Sequence, residues 1–386
     1  MKKANQNKTK QTAFREASMP LFLNSGFSFN DSEQGRALFA DEVEGNIYSR
    51  FSNPNTDALV ARMTELEKSQ DGYAFASGMA AIFTVFGSLL KSGDHIIASR
   101  VLFGSTFQII TNILSKWGIT HTFFDKGKMD DLDSLIHSNT KMIFVETPSN
   151  PGLDIIDLSA LATLKHKHDL VFAVDNTFAT PILQTPVDFG ADLVLHSTTK
   201  YIDGQGRTLG GVVLGTIDIM KDIRYFARQT GPCMSPFNAW VLYKSLETLD
   251  IRMIKHCENA QALAESLKNH PAVEEINYPF LDTFRQYDLV KKQMRMGGGM
   301  VTFKIKGDNR HAFKFMDALN HCTLMANLGD SQTIITHPAS TTHSKVPGEE
   351  RLKMGITDNL IRISVGLEQI DQIKNDILQA LDKSNQ

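Results

Sequence analysis

Two polar residues, each at the end of an apolar run, carry the first chemical signal in this chain. Leu193-Val194-Leu195 leads into His196-Ser197-Thr198-Thr199-Lys200, and Leu170-Val171-Phe172-Ala173-Val174 leads into Asp175-Asn176-Thr177. Short apolar runs of this kind read as buried strands. In parallel α/β sheets a ligand lies beyond the carboxyl ends of the strands. Taken alone, Lys200 is a solvated loop charge and Asp175 a helix cap. Taken together, they are a Schiff-base amine and a carboxylate partner for a pyridinium nitrogen. That pairing predicts pyridoxal phosphate, with Lys200 and Asp175 as its catalytic residues.

A phosphate seat should accompany them. Tyr73-Ala74-Phe75-Ala76 reads as a short strand that breaks at Ser77-Gly78 into a helix beginning Met79-Ala80-Ala81. Gly78 lets the backbone come close, and free N–H groups at a helix start attract an anion. Ser197 and Thr199 would add hydroxyls from the lysine strand. Arg50, in Tyr48-Ser49-Arg50, is a candidate counter-charge.

Alternating elements must position these groups. From about Pro54 to Gly215, strand-like runs alternate with helical ones. The runs are 94–98, 119–124 and 141–146, followed by the two strands already described. Such alternation predicts a mainly parallel sheet covered by helices. Residues 238–267 read as one or two long helices bridging two domains. Strand signals at 299–305 and 360–365, with helices between and after, predict a smaller α+β domain. The division is an N-terminal arm over 1–53, a large cofactor-binding domain over 54–245 and a C-terminal domain over 246–386. With 386 residues, the chain exceeds the size at which a single core stops growing. A formal net charge of −3 without an extended basic patch speaks against nucleic acid. Cys233, Cys257 and Cys322 form neither a CxxC nor a disulfide pattern, which fits a reducing cytoplasm. There is no apolar h-region after Met1-Lys2-Lys3 and no run long enough to span a bilayer. A cytoplasmic protein with no membrane partner is expected. His337 and His343 lack the further ligands of a metal site, so no metal is expected.

Six segments in order resemble the Cys/Met-metabolism, or transsulfuration, family of pyridoxal-phosphate enzymes. They are Ala76-Ser77-Gly78-Met79, Glu146-Thr147-Pro148-Ser149-Asn150-Pro151, Val174-Asp175-Asn176-Thr177-Phe178, His196-Ser197-Thr198-Thr199-Lys200-Tyr201, His337-Pro338-Ala339-Ser340 and Arg362-Ile363-Ser364-Val365-Gly366. The resemblance starts at Tyr48-Ser49-Arg50 and covers nearly all the chain after the arm. It implies a fold type I pyridoxal-phosphate transferase, whose large domain has a mainly parallel seven-stranded sheet. It also implies roles. Lys200 binds the cofactor covalently and moves protons, Asp175 meets the pyridine nitrogen beside Thr177, and Gly78, Met79, Ser197 and Thr199 hold the phosphate. Asn150 touches the cofactor's phenolic oxygen and Phe103 stacks on its ring. Arg362 clamps the substrate α-carboxylate with the planar fork of its guanidinium. Tyr48 and Arg50 reach into the neighbouring subunit's site, within a homotetramer of two active dimers.

Phe103 is the informative departure, because many relatives carry tyrosine there. Phenylalanine keeps the stacking and loses a proton donor. A departing thiolate, with a thiol pKa near ~8.5, gains from an acid, whereas a carboxylate near ~4 hardly needs one. A neighbouring tyrosine such as Tyr48 is the competing source of that acid. The segments 204–211 and 326–330 resemble the branch of the family that joins sulfide to O-succinylhomoserine, with Asn327 as a substrate contact. Arg207 is then a candidate partner for the distal succinyl carboxylate, or else part of a structural ion pair. The expected reaction is γ-replacement on an O-acyl-homoserine with sulfide, giving homocysteine in methionine biosynthesis. Attack by cysteine instead would make a cystathionine γ-synthase. A methionine or cystathionine γ-lyase, and a cofactor-binding regulator without turnover, are the remaining alternatives.

Overall fold

The computed structural model of the chain describes residues 12–125 and 129–384. Seven strands form the larger sheet: β1 (Asp71–Phe75), β2 (His95–Ser99), β3 (Thr120–Phe124), β4 (Thr140–Glu146), β5 (Val171–Asp175), β6 (Leu193–His196) and β7 (Gly211–Gly215). Their spatial order is β1-β7-β6-β5-β4-β2-β3, and β7 alone runs antiparallel to its neighbours. Five more make a second sheet: β8 (Val273–Asn277), β9 (Met300–Ile305), β10 (Thr323–Leu324), β11 (Ile334–Thr336) and β12 (Leu360–Ser364), in the order β10-β11-β12-β9-β8. The fold is therefore α/β, with a mostly parallel central sheet and a smaller second sheet.

Central strands are apolar on both faces because helices cover both. On β4, Met142 and Phe144 join one core with the helix Gly78–Leu89, while Ile143 and Val145 join another with the helix Leu158–His168. The bridging region of 238–267 is two helices, Pro236–Leu246 and Leu249–Leu267. Along the second, Met253 and Cys257 pack with the large sheet's core, while Ala260, Leu263, Ala264 and Leu267 pack with the second sheet. One continuous helix thus ties the two cores together.

The arm is anchored at few points. Asn55 Nδ2 donates to Pro20 O at 2.8 Å and its Oδ1 accepts from Phe22 N at 2.8 Å, while Trp240 Nε1 donates to Met19 O at 2.8 Å. Beyond those anchors large apolar groups are left in solvent, Leu23 at 69% and Phe39 at 65% exposure. No helix among the described residues is long and apolar enough to cross a membrane.

Candidate active site

Parallel register sets the site. Glu146 on β4 is the partner of Asp175 on β5, and Asp175 is the partner of Leu195 on β6. Two carboxylates and the polar segment after Leu195 therefore emerge at one sheet edge. A cavity of about 260 Å³ opens there, lined by Gly78, Phe103, Glu146, Asp175, Lys200 and Arg362 among others. Met79, Asn150, Thr177, Ser197 and Thr199 share its wall. The topology thus brings together residues spread over nearly three hundred positions.

Lys200 Nζ donates to Asn327 Oδ1 at 2.6 Å. Burial, and then the positive charge of Arg362, pull the Lys200 ammonium down to about 8. The Asn327 carbonyl accepts from Arg362, and two residues further on Gly329 has a φ of +74° that suits glycine, a Cβ there standing 2.5 Å from Tyr201 N. Asp175 Oδ1 accepts from Thr177 N at 3.0 Å and from Thr177 Oγ1 at 2.5 Å. Burial pushes the Asp175 carboxyl up, while the Thr177 bonds and the nearby His196 pull it down. Glu146 accepts from the Phe103 N–H at 2.8 Å, and burial followed by repulsion from Asp175 pushes its carboxyl well up. Both adjacent carboxyls are thus pushed up, Glu146 by burial and the charge of Asp175, Asp175 by burial. Glu146 was not assigned a role from sequence, although it ends an apolar run just as Asp175 does.

Ser77 caps the helix Gly78–Leu89, its hydroxyl accepting from Ala80 N at 3.1 Å. A Cβ on Gly78 would stand 2.7 Å from Ser197 Cβ, so glycine is what lets the helix start meet the lysine segment. Thr199 Oγ1 accepts from Gly210 N at 3.0 Å, tying that segment to the turn leading into β7. Arg362, on β12, donates to Asn150 Oδ1 at 2.9 Å and to Asn327 O at 3.0 Å. It is 2% exposed, and among the described residues its Nε has no partner.

Three named residues lie outside this cavity. Tyr48 and Arg50 do not line this cavity. Tyr48 is 44% exposed, and the Arg50 guanidinium lies 4.8 Å from the Phe51 ring and donates to Arg228 O. Arg207 pairs with Asp203 at 3.0 Å and donates to Ser245 Oγ at 2.6 Å. In this structure Arg207 thus takes part in an ion pair and does not line the cavity. His337 is bonded to Ser340 Oγ and Asp358 O, and His343 to Thr342 Oγ1. Among the described residues no three His, Cys, Asp or Glu side chains form a metal-binding group.

The site fits pyridoxal phosphate by its own chemistry. It has a partly neutral buried amine, a buried carboxylate, a helix start crowded against Ser197 with Thr199 on the same wall, and a buried guanidinium nitrogen without a partner. Residues 2–382 match the Cys/Met metabolism PLP-dependent enzyme family, and the chain belongs to it. It is 42% identical over 379 residues to an O-succinylhomoserine sulfhydrylase of Pseudomonas aeruginosa, covering 98% of this chain and 93% of that protein. It is 40% identical over 375 residues to an L-methionine gamma-lyase of Porphyromonas gingivalis, covering 96% and 94%. Among solved structures, an O-acetylhomoserine (thiol)-lyase of Campylobacter jejuni, with N'-pyridoxyl-lysine-5'-monophosphate at its position 205, superposes with a TM-score of 0.93. That likeness has 36% identity and covers 96% of both chains. The protein is a pyridoxal-phosphate-dependent enzyme of the fold type I class.

Proposed function

We propose that this enzyme replaces the acyl group of an O-acyl-homoserine, O-succinylhomoserine foremost, with sulfide to form homocysteine. The observation that carries the reading is the phenyl ring of Phe103 on the cavity wall, its backbone bonded to Glu146. A phenyl ring cannot protonate a leaving thiolate, and a leaving carboxylate does not require it. The likeness to O-succinylhomoserine sulfhydrylases supports the same substrate.

The residue roles belong to this proposal. Arg362 holds the substrate α-carboxylate, with its unpartnered Nε as a free donor. Lys200, near neutral when buried, takes the Cα proton and then moves protons at Cβ. The Cγ–O bond breaks with its electron pair leaving on the carboxylate, and sulfide forms the Cγ–S bond. Asp175 holds the proton of the ring nitrogen, while Gly78, Met79, Ser197 and Thr199 seat the phosphate. Asn150 and Phe103 flank the ring, and Asn327 positions Lys200 beside the substrate. Bound there, the cofactor supplies an electron sink for charge left at Cα. Tyr48 and Arg50 complete the neighbouring subunit's site, in active dimers that pair into a tetramer. Three free cysteines suit a cytoplasmic setting.

A γ-lyase reading is favoured by the L-methionine gamma-lyase relatives, at identities close to those of the sulfhydrylases. Initial rates with O-succinyl- and O-acetylhomoserine, each with sulfide or cysteine, and with methionine alone, test both. The fastest turnover is expected for O-succinylhomoserine with sulfide. A preference for methionine overturns the proposal.

A further inference from the structure

Glu146 lines the cavity and is 5% exposed, yet none of the chemistry proposed above uses it. It ends β4, where its register partner is Asp175 at the end of β5. The arrangement costs stability, because burial and a neighbouring carboxyl both disfavour the charged form. What the carboxyl accomplishes there is visible in the bond it makes to Phe103.

Phe103 closes the connection between β2 and the helix Gly104–Gln108, and it stands just before that helix without a side-chain cap. Its carbonyl accepts from Phe107 N at 3.1 Å, a bond that stays within the helix start. Its N–H donates to Glu146 Oε2 at 2.8 Å, which ties the same residue to the central sheet. On the far side a Cβ on Gly104 would stand 3.1 Å from Thr342 O, so glycine lets the helix start lie close against a second cavity-lining segment. Phe103 is therefore set between the end of β4 and the chain around Thr342. We propose that Glu146 is a positioning residue for the cofactor: its carboxyl fixes the Phe103 backbone at the end of β4 and so fixes the height of the phenyl ring over the cofactor ring. The inference rests on the proposed stacking of Phe103 on that ring. Because β4 pairs with β5, the groups proposed to meet the cofactor's face and its nitrogen, Phe103 and Asp175, are then anchored to one register.

Glu146→Leu removes the acceptor at similar volume, whereas Glu146→Gln keeps an acceptor oxygen and removes the charge. The experiment compares these two, Phe103→Leu and the Glu146→Leu/Phe103→Leu double variant with the wild-type enzyme. It reads the dissociation constant of pyridoxal phosphate by equilibrium dialysis and the visible circular dichroism of the bound cofactor. Far-ultraviolet circular dichroism establishes folding, and Glu146→Ala stands in if Glu146→Leu does not fold. Glu146→Leu is expected to weaken cofactor binding about tenfold, the effect of leaving one buried donor unpaired. It should also change the visible signal in the same direction as Phe103→Leu. Glu146→Gln should recover most of the affinity and the wild-type signal. The double variant should bind no more weakly than Phe103→Leu alone. Losses that add in the double variant overturn the proposal, because a carboxyl acting on the cofactor directly, or on the fold at large, is independent of the phenyl ring. A Glu146→Gln variant as weak as Glu146→Leu overturns it too, since charge and not an acceptor is then what counts. Wild-type affinity and signal in Glu146→Leu, with Phe103→Leu altered, overturns the positioning role and leaves the stacking intact. Wild-type behaviour in Phe103→Leu overturns the stacking itself and the inference with it.

Discussion

At Lys200 the site replaces water by protein, and the amine answers by favouring its neutral form. Its ammonium is drawn to about 8 by burial and then by Arg362, so covalent capture of pyridoxal phosphate by the cofactor-free protein should rise with pH and level off above about 8. Below that value the neutral fraction falls about tenfold per pH unit. Stopped-flow absorbance at a series of pH values reads the midpoint; one near 10, typical of a free lysine, contradicts the burial argument. Lys200→Ala should abolish both the cofactor's covalent absorbance band and turnover, and a borohydride-reducible linkage at another lysine would remove Lys200 from its role. The role proposed for Phe103 concerns a different choice. Phe103→Tyr should raise thiol elimination from methionine relative to acyl-homoserine turnover, each tenfold change in that ratio being about 1.4 kcal/mol in relative barrier. Equal shifts in both rates leave the substrate assignment standing and discard the leaving-group explanation.

Helix starts and strand ends make the site from these residues. Because a Cβ on Gly78 would meet Ser197 Cβ at 2.7 Å, Gly78→Ala must push the helix start away from the lysine segment. A cost of about 1–3 kcal/mol is expected from such overpacking, seen as weaker cofactor binding by dialysis at little change in helix content. Unchanged affinity would show that the helix start does not seat the phosphate. At the opposite end of the strands, His95 opens β2 with its ring between Thr140 Oγ1 at 2.8 Å and Thr122 Oγ1 at 2.9 Å, stacked on His137 at 4.4 Å. Burial, then repulsion from His137 and His121, depress His95 to about 4. Below 6.5 the unfolded chain binds a proton that the folded one refuses, so stability is complete above about 6.5 and drains away as pH falls towards 4. Melting temperatures across that window should fall less steeply in His95→Gln. An identical slope would mean that the ring is not held neutral by the fold.

Across the whole molecule, the exposed apolar arm and the placing of Tyr48 and Arg50 away from their own cavity bear on assembly. If Arg50 serves the neighbour's site, Arg50→Ala and Lys200→Ala subunits, each inactive alone, should regain activity when mixed, because one site in the hybrid holds both wild-type groups. Sedimentation of the hybrids with tagged subunits establishes exchange. No recovery despite exchange counts against a shared site.

Much of the architecture was legible from one dimension. Lys200 and Asp175 follow apolar runs whose length and bounds mark buried strands, and Ser77-Gly78 has the residue types that a close helix start demands. Local chemistry dictates such features, so they survive without knowledge of the fold. What was not legible depends on register and on contacts between distant segments. Glu146 lies far along the chain from both Asp175 and Phe103, and only the pairing of β4 with β5 makes it a neighbour of the first. Arg207 carries the same charge in either reading, and only the fold shows it beside Asp203 and Ser245. Burial then moved the proton affinities of Glu146 and Asp175 up and of Lys200 down, because a carboxyl or an ammonium holds its proton according to the water it loses and the charges it gains, and neither is written in its residue type.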